Sequence, residues 1–395
     1  MKKRRVTVFT GSRAEYGLMR TLISLLAQNS TIDIQILVSG THLALKYGNT
    51  LNEVVQDNFA PIHQVDIDLS DNSPVGVCAS MGKAIAGYGN MLQILSPDII
   101  VALGDRYECF CAVSAASVLR VPVAHIYGGG TTQGAVDEVF RHAMTKMSHL
   151  HFVSCERNRQ RVLQMGESPE RIWLVGSTGI ENILTLPILA EEDVRKYLFL
   201  PEGVPYVVVT YHPVTLESSS FKKHINSLLD ALRAQEGLYY VFTGANADAG
   251  GQDINDMLRA QTAGDPRMRF FMSLGVLNYI NAVRYSVGVV GNSSSGVGEV
   301  PSLSVPVLDI GDRQKGRERS PAVLHCQPES DALLEALGRL RMPETIEIAK
   351  STPNPLERPH PSQYIANILA KHSLENILYK EFCEQPRVIS QTISN

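Results

Sequence analysis

No stretch of the 395 residues is apolar for the roughly 18 positions that a membrane span requires, so a transmembrane protein is not expected. Charge of one sign is not in excess either. Lys and Arg number 36 against 40 Asp and Glu, which leaves no basic footprint for nucleic acid. Cysteine is sparse: Cys78, Cys109, Cys111, Cys155, Cys326 and Cys383 are scattered, and none forms a Cys-x-x-Cys pair. A chain of this length needs no disulfide staples, so a reducing cytoplasm fits best. The charged opening Met1 to Arg5 has the look of a signal peptide's first region. The apolar run after it, Val6 to Phe9, is too short to complete one, and a solvated lead-in to a first strand is expected instead. Low-complexity tracts and short repeats are missing. His149 and His151 stand two apart on a strand-like run, on one side of it, but no third ligand accompanies them, and metal binding is not expected.

What is present is an alternation of short apolar runs and amphipathic stretches. The length suggests two domains, and the composition is that of an ordinary globular protein. Arg5 to Thr10 reads as a strand. It runs through Gly11-Ser12-Arg13-Ala14-Glu15-Tyr16 into a helix with Leu18, Met19, Leu22, Ile23, Leu25 and Leu26 on one face. Strand, glycine turn and helix open a doubly wound α/β domain. Arg13 sits in that turn, where a guanidinium holds a phosphate or pairs with Glu15. Ile32 to Val38 is a second strand and leads to His42. Asp98 to Leu103 is nearly all apolar, as a strand buried on both faces is, and it ends at Gly104-Asp105-Arg106-Tyr107-Glu108. These charges suit a salt-bridged helix start or an acid/base carboxylate positioned by its neighbours. Val121 to Ile126 repeats the pattern, with a loop from Tyr127 to Gly134 before Asp137, Glu138, Arg141 and His142; Asp137 and Arg141 have the spacing of an ordinary helical ion pair. Arg171 to Val175 closes the first half, and Pro187 to Pro205 is a bridge.

Val207 to Thr210 restarts the α/β pattern and ends at His212-Pro213, placed to give a proton to a leaving phosphate. Further strands are expected at Tyr239 to Phe242, Arg269 to Met272 and Val305 to Ile310. The stretch from Val287 to Pro301 is the most informative. A buried strand turns at Gly291 into Asn292, Ser293, Ser294 and Ser295, all good N-cap residues. Free backbone N–H groups at a helix start seat a phosphate or diphosphate, and Glu299, about one turn on, suits the hydroxyls of a ribose. The same residues also read as a loop that merely caps a helix. Gly311 to Arg319 carries Arg313, Lys315, Arg317 and Arg319, a clamp for a nucleotide or a solvated loop. Near the end, a helix follows Pro361, with a second helical stretch from Leu374 to Phe382 and a disordered tail after Gln385.

These motifs occur in an order that resembles the hydrolysing UDP-N-acetylglucosamine 2-epimerases of sialic-acid and nonulosonic-acid biosynthesis, from about residue 5 to about residue 370. The matching runs include Gly11 to Tyr16, Gly40 to Leu43, Tyr47 to Thr50, Gly104 to Glu108, Arg141 to His151, His212-Pro213, Gly291 to Gly296, Gly311 to Arg317 and Asn354-Pro355. The resemblance implies an α/β fold of the glycosyltransferase-B type, two Rossmann-like domains around an inter-domain cleft. The first would be residues 1–186 joined by a C-terminal helix at 362–383, and the second, UDP-binding, residues 187–361. It implies conversion of UDP-N-acetylglucosamine and water to N-acetylmannosamine and UDP through 2-acetamidoglucal, with no cofactor. A UDP-sugar would be the partner, and relatives of this kind often form homodimers. Carried over by position, Ser293 and Ser294 would hold the diphosphate, Glu299 the ribose and Arg313 the uridine region. Arg13 and His212 would border the phosphates. Asp105 and Asp137 would transfer protons, with Arg106 and His42 near the sugar. One departure stands out. The family usually has a glutamate in place of Tyr127 or Gly130, and this chain has no carboxylate between Glu108 and Asp137. The role then passes to Asp137 or Glu138, or the sugar differs, for instance a diacetamido sugar of legionaminic-acid synthesis, or the protein binds without turning over. An altered enzyme such as a transferase is the other alternative.

Overall fold

A computed structural model describes residues 3–45, 48, 50–71, 73–132, 136–213, 221–245 and 251–384. The chain divides into two compact units, one from Met1–Thr131, Ala135–Thr178 and Arg358–Asn395, the other from Thr132–Gly134 and Gly179–Glu357.

The first unit is built on β1 (Arg4–Thr10), β2 (Ile32–Ser39), β3 (Ile62–Val65), β4 (Ile99–Leu103), β5 (Val123–Ile126), β6 (Leu150–Val153) and β7 (Ile172–Leu174). They form one sheet in the order β3-β2-β1-β4-β5-β6-β7, every pair parallel. β4, Ile-Ile-Val-Ala-Leu, is buried throughout, as a central strand covered on both faces must be. On one face the helix Arg13–Gln28 lays down Met19, Leu22, Ile23 and Leu26. These pack with Ile365, Ala366 and Leu369 of the helix Pro361–Lys371. On the other face, Tyr88 and Leu92 of Pro74–Leu95 and the alanines of Tyr107–Val118 close over Phe9, Ile100 and Ala102.

The helical stretch expected from Leu374 to Phe382 is not helical. Asn376 takes a left-handed φ of 56°, and the segment runs as turns. Arg171, from outside the segment, and the segment's own Lys380 anchor it in place of helical hydrogen bonds. Arg171 donates to the carbonyls of Ile377 and Tyr379, and Lys380 to those of Lys146 and Ser148 and to the Glu167 carboxylate. The tail beyond residue 384 lies outside the described residues.

The second unit contains β8 (Tyr206–Thr210), β9 (Tyr239–Thr243), β10 (Met268–Phe271), β11 (Gly288–Gly291), β12 (Val307–Ile310) and β13 (Val323–Cys326). Their order is β10-β9-β8-β11-β12-β13, again all parallel. The segment read as a bridge folds onto this unit. Val194, Leu198 and Leu200 join its core, and Asn281 binds the backbone of Pro187 and Leu189.

Six consecutive strands of each sheet therefore follow the Rossmann order 3-2-1-4-5-6. In such sheets a ligand sits beyond the carboxyl ends of the strands where the order reverses. Those points are β1 and β4 in the first unit, β8 and β11 in the second.

Candidate active site

In the first unit, β1 ends at Gly11 and the helix after it is capped at Ser12, whose Oγ accepts from the Glu15 N–H at 3.4 Å. The Glu15 carboxylate turns back to accept from the Gly11 N–H at 2.6 Å, a variant of the capping box. The turn after β2 presses against this one. Gly40 has φ of 60°, and a β-carbon there would stand 2.5 Å from the Gly11 carbonyl oxygen, so a side chain is excluded. That carbonyl accepts from both the N–H and the hydroxyl of Thr41.

The β4 turn brings the charged residues together. Arg106 donates to both oxygens of Glu108, at 3.2 and 2.9 Å, and the Glu108 side chain is wholly buried. Asp105 accepts from Arg141, a buried guanidinium on the helix Val136–Met147. Two cations are thus committed to two carboxylates. Glu15 and Asp137 form no ion pair within 4.0 Å among the described residues. Burial pushes the Glu15 carboxyl up to about 8, with Glu108 adding to the rise and the Gly11 N–H opposing it. Asp137 is open to solvent, yet the protein packed beside its carboxylate and then the charge of Asp105 raise its pKa; Arg106 and Arg141 act against them. Burial lowers the Arg106 pKa, but the charge of Glu108 outweighs it, and the guanidinium stays charged.

The remaining residues expected in this unit are placed differently. Arg13 points outward, with its guanidinium on Glu53 at 2.9 Å. His42 is completely buried, its two ring nitrogens 3.0 Å from Thr10 Oγ1 and 2.9 Å from Thr50 Oγ1. Burial lowers its pKa to about 4, so the ring is neutral near pH 7. As placed, it braces the β1 and β2 turns and presents no free nitrogen to a sugar. Tyr47, Asn49 and Gln133 lie outside the described residues.

The loop after β5 is held from below. His125 is buried and neutral, its pKa brought down to about 3 by burial, and its Nε2 lies 2.8 Å from the Gly104 carbonyl oxygen, in donor position. Tyr127 takes a φ of 71°, which costs about 1–3 kcal/mol for a non-glycine residue. Its hydroxyl lies 2.7 Å from Thr178 Oγ1. A β-carbon on Gly130 would meet Arg141 Cδ and Nη1 at 3.6 Å, ordinary contact, so a side chain at 130 would lie along that guanidinium.

In the second unit, β11 ends at Gly291 with φ of 142°. A β-carbon there would fall 1.8 Å from the Thr210 carbonyl oxygen, which only glycine tolerates. Asn292 is fully buried. Its Oδ1 accepts from the His212 N–H at 2.7 Å and its Nδ2 donates to the His212 carbonyl at 2.9 Å. Its own carbonyl accepts from Arg313 at 3.0 Å and Gln314 at 2.9 Å. Ser293 caps the next helix, and Ser294 is exposed at its start. That helix, Ser294–Gly298, has five residues, so an anion here would rest on free N–H groups more than on a summed dipole. Glu299 accepts from Ser295 Oγ at 2.8 Å, and burial raises its pKa. Of the cations after β12, Lys315 pairs with Asp312 at 3.4 Å, and Arg319 donates to the Gln314 carbonyl and pairs with buried Asp309. These partners make Gly311 to Arg319 a built turn, not a solvated loop. Val214 and Thr215, and Asn246 to Asp248, lie outside the described residues.

Arg106, Asp105 and Asp137 thus assemble in one unit, and His212, Ser293 and Arg313 gather about Asn292 in the other, with Glu299 bonded to Ser295 further along the loop. Glu15, Glu108, Arg141 and Asn292 were not singled out as site residues. Each lies within a motif quoted from the sequence, but burial, the signal that sets them apart, is not written in one.

The profile of the UDP-N-acetylglucosamine 2-epimerase family matches residues 25–370. The polysialic acid biosynthesis protein P7 of Escherichia coli is 37% identical over 357 residues, 90% of each chain. The GDP/UDP-N,N'-diacetylbacillosamine 2-epimerase (hydrolyzing) of Campylobacter jejuni is 33% identical over 97% of this chain and 100% of its own. The UDP-N,N'-diacetylbacillosamine 2-epimerase (hydrolyzing) of Legionella pneumophila is 35% identical over 85% and 88%. Among solved structures, the UDP-GlcNAc 2-epimerase of Neisseria meningitidis bound to UDP-GlcNAc superposes with a TM-score of 0.72 at 19% identity, covering 93% of this chain and 100% of that one. This likeness is one of fold, and the fold is that of two Rossmann-like domains of the glycosyltransferase-B type.

Proposed function

The chain belongs to the UDP-N-acetylglucosamine 2-epimerase family, and from that premise we propose that it is a hydrolysing 2-epimerase of a UDP-linked 2-acetamido sugar. The products are the free sugar inverted at C2 and UDP. A carboxylate takes the C2 proton as the C1–O bond breaks and its electron pair leaves with UDP, forming 2-acetamidoglucal. Water then adds its oxygen to C1 while a proton returns to C2 from the opposite face.

The observation that carries this reading is the Asp105, Arg106 and Asp137 group at the β4 reversal point, with Arg141 bound to Asp105. The C2 proton is weakly acidic, so its base must have a pKa above that of an ordinary carboxylate. The raised pKa of Asp137 meets this need, and Asp105, held by Arg141, is the second proton-transfer group. Arg106, beside them on Glu108, would face the sugar. In the other unit, Ser293 and Ser294 would take the diphosphate, Glu299 the ribose, and Arg313 the uridine side. His212, fixed by Asn292, would protonate the departing phosphate oxygen. Arg13 would border the phosphates after leaving Glu53, and His42 acts from beneath.

The finer assignment is the sugar. We favour a diacetamido sugar over N-acetylglucosamine. Gly130 adds no side chain beside Arg141, which leaves room next to the proton-transfer group, and two relatives at 33% and 35% identity are named for diacetylbacillosamine. The reaction would belong to the cytoplasm.

The test incubates the protein with UDP-diacetylbacillosamine, or with UDP-N-acetylglucosamine, in heavy water and follows proton NMR. The expected result is free UDP and the 2-epimeric sugar with deuterium at C2. UDP release with C2 still protonated would overturn the elimination route. UDP binding without release from either sugar would point to a protein that keeps the pocket and lacks the reaction.

A further inference from the structure

Glu15 is 5% exposed and sits at the third position of its helix. One carboxylate oxygen accepts from Gly11, which a cap requires. The other, Oε1, is buried with no hydrogen-bond partner among the described residues. A cap alone does not explain why that oxygen is buried, since an exposed glutamate caps as well and avoids the desolvation cost. The neighbours are specific. A β-carbon built on Gly11 would meet Glu15 Oε2 at 3.4 Å and Glu108 Cβ at 3.3 Å, so the two glutamates flank the same glycine. Glu108 in turn holds Arg106 through both its oxygens. Glu15 is therefore wedged between the β1 turn and the Arg106–Glu108 pair.

We propose that Glu15 is a positioning residue for the reaction, a carboxyl that fixes the Gly11 turn against the Arg106–Glu108 pair and so sets where Arg106 and Asp105 stand. The proposal rests on the reading of this site as the proton-transfer site. The Arg106 guanidinium is already committed to Glu108, and Arg141 to Asp105, so a further ionised carboxylate would be repelled. A carboxyl that keeps its proton can brace the turn without adding charge. The titratable and charged groups that face it are Glu108, Arg106 and Asp105 at the β4 turn and Cys109 on the helix that follows. Burial holds its pKa near 8, consistent with a protonated brace at neutral pH.

The test compares wild type, Glu15→Gln and Glu15→Ala. Gln keeps the shape and an oxygen for the Gly11 N–H, and carries no charge. On the UDP-sugar that the wild type turns over, Glu15→Ala should lower kcat by about tenfold or more with UDP affinity unchanged within about threefold, and Glu15→Gln should restore at least about a third of kcat. The second readout needs no turnover. A carboxyl raised in the folded state binds its proton more tightly there than in the unfolded chain. The wild type therefore loses stability as pH rises from the ordinary glutamate range to about 8, and Glu15→Gln does not. The Tm of Glu15→Gln relative to wild type should climb across that window. Equal loss of kcat in Gln and Ala would overturn the proposal, because an ionised carboxylate would then be required; so would full activity in Ala. If the wild type turns over no UDP-sugar, the functional reading fails by itself. A rising Tm difference then still supports the protonated brace, and a flat one overturns it.

Discussion

The side-chain amide of Asn292 grips the backbone of His212 from both ends, taking its N–H at 2.7 Å and giving to its carbonyl at 2.9 Å. This reciprocal pair ties the end of β8 to the end of β11 at the reversal point of the second sheet. Asn292→Ala should cost about 1–3 kcal/mol of stability, since it leaves two backbone groups of His212 without partners. It should also weaken UDP binding, because the serine loop and His212 lose their common anchor. Thermal melts and calorimetric UDP titration check both. Unchanged UDP affinity in a destabilised but folded variant would mean that the latch is purely structural.

The serine loop itself gives the next expectation. Ser294 is exposed at the start of a five-residue helix, so its hydroxyl is available to an anion while Ser293 Oγ is occupied by the Ser295 N–H. Ser294→Ala should weaken UDP binding by roughly 1 kcal/mol or more, at least the net value of a typical hydrogen bond. Affinity equal to wild type would remove Ser294 from the diphosphate seat.

The partnership of Asp105 with Arg141 makes a different prediction. Asp105→Asn keeps the shape and one acceptor oxygen and removes the charge. Turnover should disappear while UDP affinity stays within a few-fold, because no group of the second unit is altered. If UDP binding is lost instead, Asp105 acts in binding and not in proton transfer.

Much of this arrangement is legible in the sequence, and what is not has physical reasons. β4 and β11 announce themselves as apolar runs ended by glycine, because a strand buried on both faces leaves no room for polar alternation. The turns after them hold small and charged residues that the reversal point brings together. β3, Ile62-His63-Gln64-Val65, lies at a sheet edge, half exposed and half polar, and carries no comparable signal. The helix Pro74–Leu95 is rich in small residues and weakly sided, so its period is faint although Ser73 and Pro74 mark its start. The segment after Leu374 has helical spacing, but Arg171 donates to its carbonyls and its own Lys380 reaches out to the Lys146 carbonyl, and these contacts win. His42 shows the limit for site residues: a histidine just after a strand reads the same in the sequence whether it faces a ligand or, as here, two buried hydroxyls.

Asp137 predicts a pH dependence. The protein packed beside its carboxylate and then the nearby Asp105 charge raise its pKa above the ordinary aspartate value. A general base works only when ionised, so kcat/KM should fall as pH drops through that raised pKa, and the acid limb should lie above the ordinary aspartate range. A profile flat down to the ordinary aspartate value would exclude Asp137 as the base.

Gly130 tests the choice of sugar. Its β-carbon direction runs into ordinary contact with Arg141 at 3.6 Å, so Gly130→Ala should fold and melt close to wild type. Gly130→Glu would set a carboxylate against the guanidinium that holds Asp105, compete for it, and fill the space beside the proton-transfer group. With a diacetamido sugar, kcat/KM should fall by about tenfold or more, which corresponds to at least about 1.4 kcal/mol of transition-state stabilisation. With UDP-N-acetylglucosamine, which has no second acetamido group to place there, the loss should be smaller, so the ratio of the two kcat/KM values should move toward N-acetylglucosamine. An equal fall for both sugars would mean that the new carboxylate acts only through Arg141 and Asp105. The missing side chain at Gly130 would then have no part in choosing the substrate.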